Sequence, residues 1–182
     1  MKEITKKDSS PADKKVGETN RLILMHLQES DYPFILELLN SPSWIRYIGN
    51  KNIKTKAEAK KYILNGPVKS YEENDFGLYK LCLKEDLTPV GICGLVKRDE
   101  LTIPDLGYAL LENFHGKRYA YEASEWVLNI ECKKLKIKKI LAIVSDNNKR
   151  SIQLLEGHGF VYRKKHSFKL ANNISLYCKT FL

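Results

Sequence analysis

Two stretches of this 182-residue chain carry residue types suited to gripping phosphate and to moving protons. The first is Asn113-Phe-His-Gly-Lys-Arg-Tyr-Ala-Tyr-Glu-Ala123, which follows a strand-like run and opens a helical pattern. Backbone N–H groups in a first helical turn have no intrahelical partners, and the helix dipole adds partial positive charge there. Such a turn binds phosphate oxygens. Gly116 lets the backbone come close to a ligand, and Lys117 and Arg118 add charge beside it. An ordinary helix start that happens to hold Gly and Lys reads the same way, and this segment alone does not separate the two. The second stretch runs from Val144 to Phe160 and sets Asn148 and Ser151 three apart, where an apolar run ends and a helix begins. Taken singly, Asn148 reads as an N-cap and Ser151 as a solvated first-turn residue.

Taken together, at this separation, they resemble the GNAT superfamily of N-acetyltransferases, most closely its RimJ/RimL-like, ribosomal-protein N-terminal branch. Four landmarks in order carry the resemblance: Thr19-Asn-Arg-Leu-Ile-Leu24, Asp105-Leu-Gly-Tyr-Ala-Leu110, Gly116-Lys-Arg-Tyr-Ala-Tyr-Glu-Ala123, and Asn148-x-x-Ser151 through Leu155-Glu156 to Gly159-Phe160. Two positions depart from the pattern. Arg118 stands where the family's phosphate loop has its second small residue, and Gly157 stands where a longer polar residue is common. The phosphate contacts are expected to survive if Arg118 keeps a helical backbone and points outward.

The resemblance implies an α/β fold: a mixed, mostly antiparallel sheet of about seven strands flanked by about four helices, with the fourth and fifth strands splayed. It implies acetyl-coenzyme A as co-substrate, no metal, and direct acetyl transfer to an amine in a ternary complex. Backbone groups near Tyr108, Ala109, Leu110 and Leu111 would pair with the pantetheine arm. One N–H there would polarise the thioester carbonyl. The pyrophosphate would sit on Gly116, Lys117, Arg118, Tyr119 and Ala120, and Asn148 would touch the arm. Asp105 occupies the strand position where the family often carries a carboxylate base, although a solvent-facing residue after Pro104 is an equal reading. Ser151 matches a residue that stabilises or protonates the departing thiolate, with Tyr108 and Tyr162 as reserve acids. The acceptor, a protein N terminus or a small amine, is expected beside Trp44, Arg46 and Tyr47, with Tyr71 and Phe76 as secondary candidates. Trp44 and Tyr47 read equally well as an apolar anchor for their loop.

Composition bounds the alternatives. The net charge is +9, which suits an anionic cofactor and invites a nucleic-acid reading, but no recognition-helix or RNA-binding sheet motif accompanies it. No nucleic acid is therefore expected as partner. A coenzyme A-binding regulatory module without turnover is the main rival reading. Four cysteines lie far apart, with Cys82, Cys93 and Cys178 in apolar, strand-like runs, which predicts buried thiols and a reducing, cytoplasmic setting. Cys93 and Cys132 have no companion histidine motif for covalent catalysis. No run is long and apolar enough to span a membrane, so no membrane partner is expected; a homodimer is compatible with the sequence.

The elements that must position these residues follow from periodicity. Residues 1–17 read as a flexible tail and 18–182 as one domain. Strands are predicted at Arg21–Leu27, Phe76–Leu83, Val90–Lys97, Asp105–Leu111 and Lys139–Val144. The last of these, an almost continuous apolar run, reads as buried on both faces. A helix capped by Ser30 or Asp31 carries Phe34, Ile35, Leu38 and Leu39. An irregular loop, Ser41–Gly49, is followed by a Thr55-capped helix that stops at Gly66-Pro67. A long helix, Gly116 to Ile137, sets Ala120, Ala123, Val127 and Ile130 on one face, and a short helix runs from Asn148 to His158. Phe160–Leu170 and Ile174–Leu182 close the chain as a hairpin turning at Ala171-Asn172-Asn173.

Overall fold

The structure, a computed structural model, describes residues 15–168 and 171–181. Its centre is one sheet of eight strands among the described residues, in the order β1-β2-β3-β4-β5-β6-β8-β7. These are β1 Lys15–Glu18, β2 Leu22–Met25, β3 Leu78–Leu83, β4 Pro89–Val96, β5 Asp105–Leu110, β6 Lys139–Ser145, β7 Val161–Phe168 and β8 Ala171–Thr180. Neighbours are antiparallel except β5 and β6, which run parallel. The expected mixed, mostly antiparallel sheet is therefore present, with one strand more than expected. That strand, β1, lies in the stretch read as tail. It pairs with β2, and Gly17 leaves room for the Trp126 indole, whose Cζ2 would lie 2.1 Å from any Cβ there. Residues 1–14 of the expected tail lie outside the described residues.

The helices are α1 Tyr32–Leu39, α2 Pro42–Tyr47, α3 Lys56–Ile63, α4 Lys69–Asn74, α5 Tyr119–Trp126, α6 Cys132–Lys134 and α7 Lys149–Gly157. Several differ from the sequence expectation for local reasons. The loop expected at Ser41–Gly49 contains α2, because the Ser41 side chain accepts the Trp44 N–H and Pro42 stands at the first helical position. Neither Ser30 nor Asp31 caps α1 with its side chain. The Asp31 carboxylate instead accepts the Gln28 N–H and pairs with Lys80. Thr55 does cap α3, in a reciprocal box with Glu58. Gly66-Pro67 does not end that helix: a wider π turn, Leu64–Val68, accommodates the proline and leads into α4, which stops at Asp75 in a left-handed conformation (φ 60°). A second π turn, Val127–Glu131, joins α5 to α6. Its extra residue rotates the apolar face, so Ile130 is 52% exposed while Leu128, Glu131 and Cys132 turn inward. At the last hairpin, Ala171, Asn172 and Asn173 belong to β8 rather than to a turn, with Phe168 opposite Ala171; residues 169–170 are not described.

Apolar clusters cover both faces of the sheet. One joins β2–β6 to α5 and α7 through Leu24, Leu81, Leu106, Ala123, Val127, Leu155 and Phe160. The other joins α1, α2 and α3 to Ile92 and Leu111. All four cysteines are buried free thiols, as small hydrophobes in a core should be. Among the described residues, no helix is long and apolar enough to cross a membrane.

Glu131 is the costly member of this core. It is 4% exposed; its Oε1 accepts the Tyr79 hydroxyl and its Oε2 has no partner. Burial pushes its carboxyl up to about 7, against the opposing pull of the Tyr79 bond and of Lys134. A carboxyl whose folded value is raised is best tolerated protonated, so this contribution is intact below about pH 4.5 and is lost as pH rises through about 7. Denaturant melts of wild type and Glu131→Gln across this range should show a wild-type stability that falls relative to the variant by on the order of 3 kcal/mol. Parallel pH curves would contradict the assignment.

Candidate active site

The site begins with backbone. β5 is paired with β4 along its whole length, from Asp105 opposite Val96 to Leu110 opposite Gly91, and the Leu111 N–H continues the ladder to the Val90 carbonyl. Alternation along an antiparallel ladder then assigns the backbone groups of residues 105, 107, 109 and 111 to β4, and those of 106, 108 and 110 to the side facing β6. On that side β5 meets β6 only at Asp105 opposite Leu141, where the Leu141 N–H bonds the Pro104 carbonyl. Beyond that point the strands part. β6 stays fully paired with β8, so it does not close the gap. The Leu110 carbonyl is taken by the His115 ring, Nε2 to O 3.0 Å. That leaves the N–H and C=O of Tyr108 and the N–H of Leu110 on the wall of an open wedge. The sequence expectation had included Ala109 and Leu111; their backbone groups belong to β4.

At the wide end of the wedge lies the turn into α5. Gly116 (φ +76°) and Arg118 (φ +65°) are both left-handed, and Arg118 is the residue before the helix. The condition set above, that Arg118 keep a helical backbone, is thus not met: the residue is left-handed. The first backbone bond into the helix is from the Glu122 N–H to the Arg118 carbonyl. Among the described residues, no protein acceptor takes the amides of Gly116, Arg118, Tyr119 or Ala120. Nothing lies within 4 Å of a Cβ built on Gly116, so the surface there is open. Cations surround it: Lys117 lies over Phe114, Arg118 over Tyr121, and Arg21 over Tyr119 while also gripping Glu122. A helix start with unpaired amides and three nearby cations has the chemistry of an anion cradle.

Side chains approach the wedge from both faces. Residues of one strand alternate, so Asp105, Ala109 and Leu111 face α1–α3 while Leu106, Tyr108 and Leu110 face α5 and α7. On the second face the Tyr108 and Ser151 hydroxyls share a 2.5 Å hydrogen bond. Burial holds the Tyr108 phenol well above its usual range, outweighing the Ser151 bond, so it stays protonated. Asn148 caps α7, its Oδ1 accepting the Ser151 N–H at 3.2 Å, which orients Ser151 toward Tyr108. On the first face Asp105 is 1% exposed, not solvent-facing, and its Oδ1 accepts Arg98 Nε at 2.9 Å. Burial raises the Asp105 carboxyl, while the Arg98 charge and hydrogen bond pull it down. The same guanidinium acts on Tyr62 of α3, whose phenol burial pushes up to about 12.

The remaining candidates are placed differently. Trp44 is 5% exposed and packs as the anchor of α2, with its indole N–H unpartnered. Arg46 lies over Tyr47 on the same helix. The helix itself is held at the end of β5 by the Ser43 N–H to Glu112, 3.1 Å. Tyr71 stacks on Tyr79 and bonds the backbone of Leu27 and Leu78, and Phe76 packs on the core. Tyr162 is on β7, separated from β6 by β8, which places it away from the wedge. Arg98, His115 and Arg21 were not foreseen. Only Arg98 left a signal, as a cation in the loop joining the two strands that hold the acid.

An open sheet split between β5 and β6 is the architecture that the resemblance to acetyltransferases implies. The chain belongs to the GNAT family: the acetyltransferase (GNAT) domain matches residues 21–161. An uncharacterised Bacillus subtilis protein, YkkB, is 26% identical over 152 residues, covering 80% of this chain and 85% of YkkB. The crystal structure of an acetyltransferase from Agrobacterium tumefaciens superposes with a TM-score of 0.76 at 19% identity, covering 91% of this chain and 94% of that one. RimL, a ribosomal L7/L12 α-N-protein acetyltransferase solved with coenzyme A, superposes at 0.73 and 13% identity, covering 91% and 97%. The structural neighbours thus include the RimJ/RimL-like branch.

The two left-handed residues of the cradle make a prediction that needs no ligand. Gly116→Ala should cost about 1 kcal/mol through its backbone alone, since no atom would be struck. Arg118→Gly should be more stable than Arg118→Ala by about 1 kcal/mol, because both lose the guanidinium–Tyr121 contact and only glycine tolerates φ +65°. Urea unfolding of these variants measures this, and an Arg118→Gly no more stable than Arg118→Ala would mean that the residue is not left-handed.

Proposed function

We propose that the protein is an N-acetyltransferase that moves the acetyl group of acetyl-coenzyme A onto a primary amine by direct transfer in a ternary complex. The acceptor is a protein N terminus or a small-molecule amine. The observation that carries this reading is the wedge between β5 and β6, with a cradle of unpaired amides at its mouth and an acid–base candidate on each face. The bound thioester would supply an activated acetyl carbon and a good leaving group.

The chain's own groups would do the rest. The amides of Gly116 and of Arg118 through Ala120 would hold the pyrophosphate, helped by Lys117 and the helix dipole. The N–H of Tyr108 or Leu110 would pair with the pantetheine arm and polarise the acetyl carbonyl. Asp105 would take a proton from the acceptor ammonium, directly or through water, as the N–C bond forms. Its raised carboxyl brings it toward the range such a base needs. As the C–S bond breaks, the Ser151 hydroxyl would stabilise the departing thiolate by a hydrogen bond while accepting that of Tyr108, whose phenol keeps its proton, and the thiolate would take its proton from water. The proton removal and the thiolate stabilisation then occur on opposite faces of the sheet. Asn148 would meet the arm with its amide N–H₂, since its oxygen is committed to the cap.

The ion pair of Asp105 with Arg98 favours a second reading, in which the fold binds coenzyme A without turnover. Kinetics separate the two. In the leading reading Asp105→Asn lowers kcat/KM for an amine acceptor by about 10²-fold or more, and Ser151→Ala lowers kcat by about tenfold. Arg98→Gln, which removes the charge that pulls Asp105 down, moves the acidic limb of the pH–rate profile to higher pH. A thiol-release assay across N-terminal peptides, polyamines and aminoglycosides measures all three. Unchanged rates in both Asp105→Asn and Ser151→Ala would remove the acid–base assignment. Wild type that binds acetyl-coenzyme A yet acetylates none of these would favour the binding module.

A further inference from the structure

We infer that His158 is a positioning residue: it locks α5, whose first turn forms the cradle, to α7, whose first turn carries Asn148 and Ser151. His158 follows α7 directly, is 8% exposed, and its backbone N–H closes that helix on the Leu154 and Leu155 carbonyls. Its Nε2 lies 2.8 Å from the Oγ of Ser124, a fully buried residue of α5. The Ser124 hydroxyl donates to the Ala120 carbonyl at 2.7 Å, with Tyr121 O at 3.0 Å. With that proton given to a carbonyl, Oγ accepts from His158 in the tautomer whose Nε2 carries the hydrogen, and an N–H···O bond ties the two helices.

The second half of the lock is a stack. The Tyr121 ring lies on the imidazole with centroids 4.0 Å apart and planes 21° from parallel, and the Arg118 guanidinium lies over the same Tyr121 ring, 5.1 Å from its centroid. Gly157 borders the stack, and a Cβ there would sit in ordinary contact, 3.4 Å from Tyr121 Cε2. Lys179 of β8 donates to the His158 carbonyl and ties the assembly to the sheet. Ala120 and Tyr121 are thus held at the turn that offers its amides to the anion. A packed apolar residue could fill this volume, but it would not fix how far α5 sits along its axis. A directional N–H···O bond does, and with it the span from the cradle to Ser151 is set before any ligand arrives.

The inference rests on the acetyl-coenzyme A reading only for the identity of the ligand; the lock itself belongs to the free protein. Three variants test it: Ser124→Ala, His158→Phe, which keeps the stack but loses the donor, and His158→Gln, which returns a nitrogen donor. In ligand-free protein the amides of Glu122, Ala123 and Ser124 bond the carbonyls of the first turn, so their hydrogen exchange reads its opening. Exchange there should quicken about tenfold in Ser124→Ala and His158→Phe, with partial recovery in His158→Gln. Calorimetry with coenzyme A should show Kd weakened by a similar factor, about tenfold, and no further weakening in the Ser124→Ala/His158→Phe double variant. Wild-type exchange and wild-type Kd in Ser124→Ala and His158→Phe, with only a lowered Tm, would overturn the lock and leave His158 as packing. If His158→Phe does not fold, Ser124→Ala decides alone. If wild type binds no coenzyme A, the transferase reading fails while the exchange data still decide the lock.

Discussion

Two parallel strands that meet at Asp105 and Leu141 and then separate impose a demand on everything around them. A sheet interior normally satisfies each backbone N–H and C=O with a neighbour, and buried groups left over are costly. Here β4 takes one edge of β5 and β8 takes one edge of β6, so each strand is anchored on its far side and free on its near side. His115 removes one orphan, the Leu110 carbonyl. The others can be satisfied only by water or by a chain that enters the gap as a strand would. An extended amide-bearing arm fits that description, in the manner of strand addition at a sheet edge.

The gap also explains how the charged and hydroxyl groups are sorted. Because strand residues alternate faces, Asp105 and Tyr108 cannot project to the same side. Each then meets a different partner: the Arg98 guanidinium for the acid, the Ser151 hydroxyl for the phenol. Both sit where water is scarce, so both are shifted upward, and the shifts have opposite uses. A carboxyl raised by burial becomes a better proton acceptor, whereas a phenol raised by burial keeps the proton it holds.

Much of this was legible in the sequence, for physical reasons. β3–β6, α5 and α7 announce themselves through apolar runs, periodicity and caps, which are local properties. The open turn before α5 was legible because glycine and a helix start occur together at Gly116. What was missed depends on tertiary contact. β1 is a short polar strand whose only signal is a glycine that makes room for Trp126. The π turn that turns Ile130 outward and Glu131 inward has no periodic signature. The left-handed Arg118 and the burial of Asp105 under Arg98 both follow from neighbours remote in sequence or from loop geometry. The loop around Trp44 read as irregular although Ser41-Pro42 is a cap followed by a first-turn proline. There the local signal was present and was outweighed by the Pro and Gly around it.

The central claim is that the unpaired amides of the wedge and the cradle are the surface that receives the nucleotide thioester. Amide-resolved NMR titration with coenzyme A at low ionic strength tests it most directly. The account predicts saturable shifts concentrated at Tyr108, Leu110, Gly116, Arg118, Tyr119 and Ala120, with those of the β1–β2 edge unmoved. Absence of binding, or shifts that leave these six amides untouched, would contradict it.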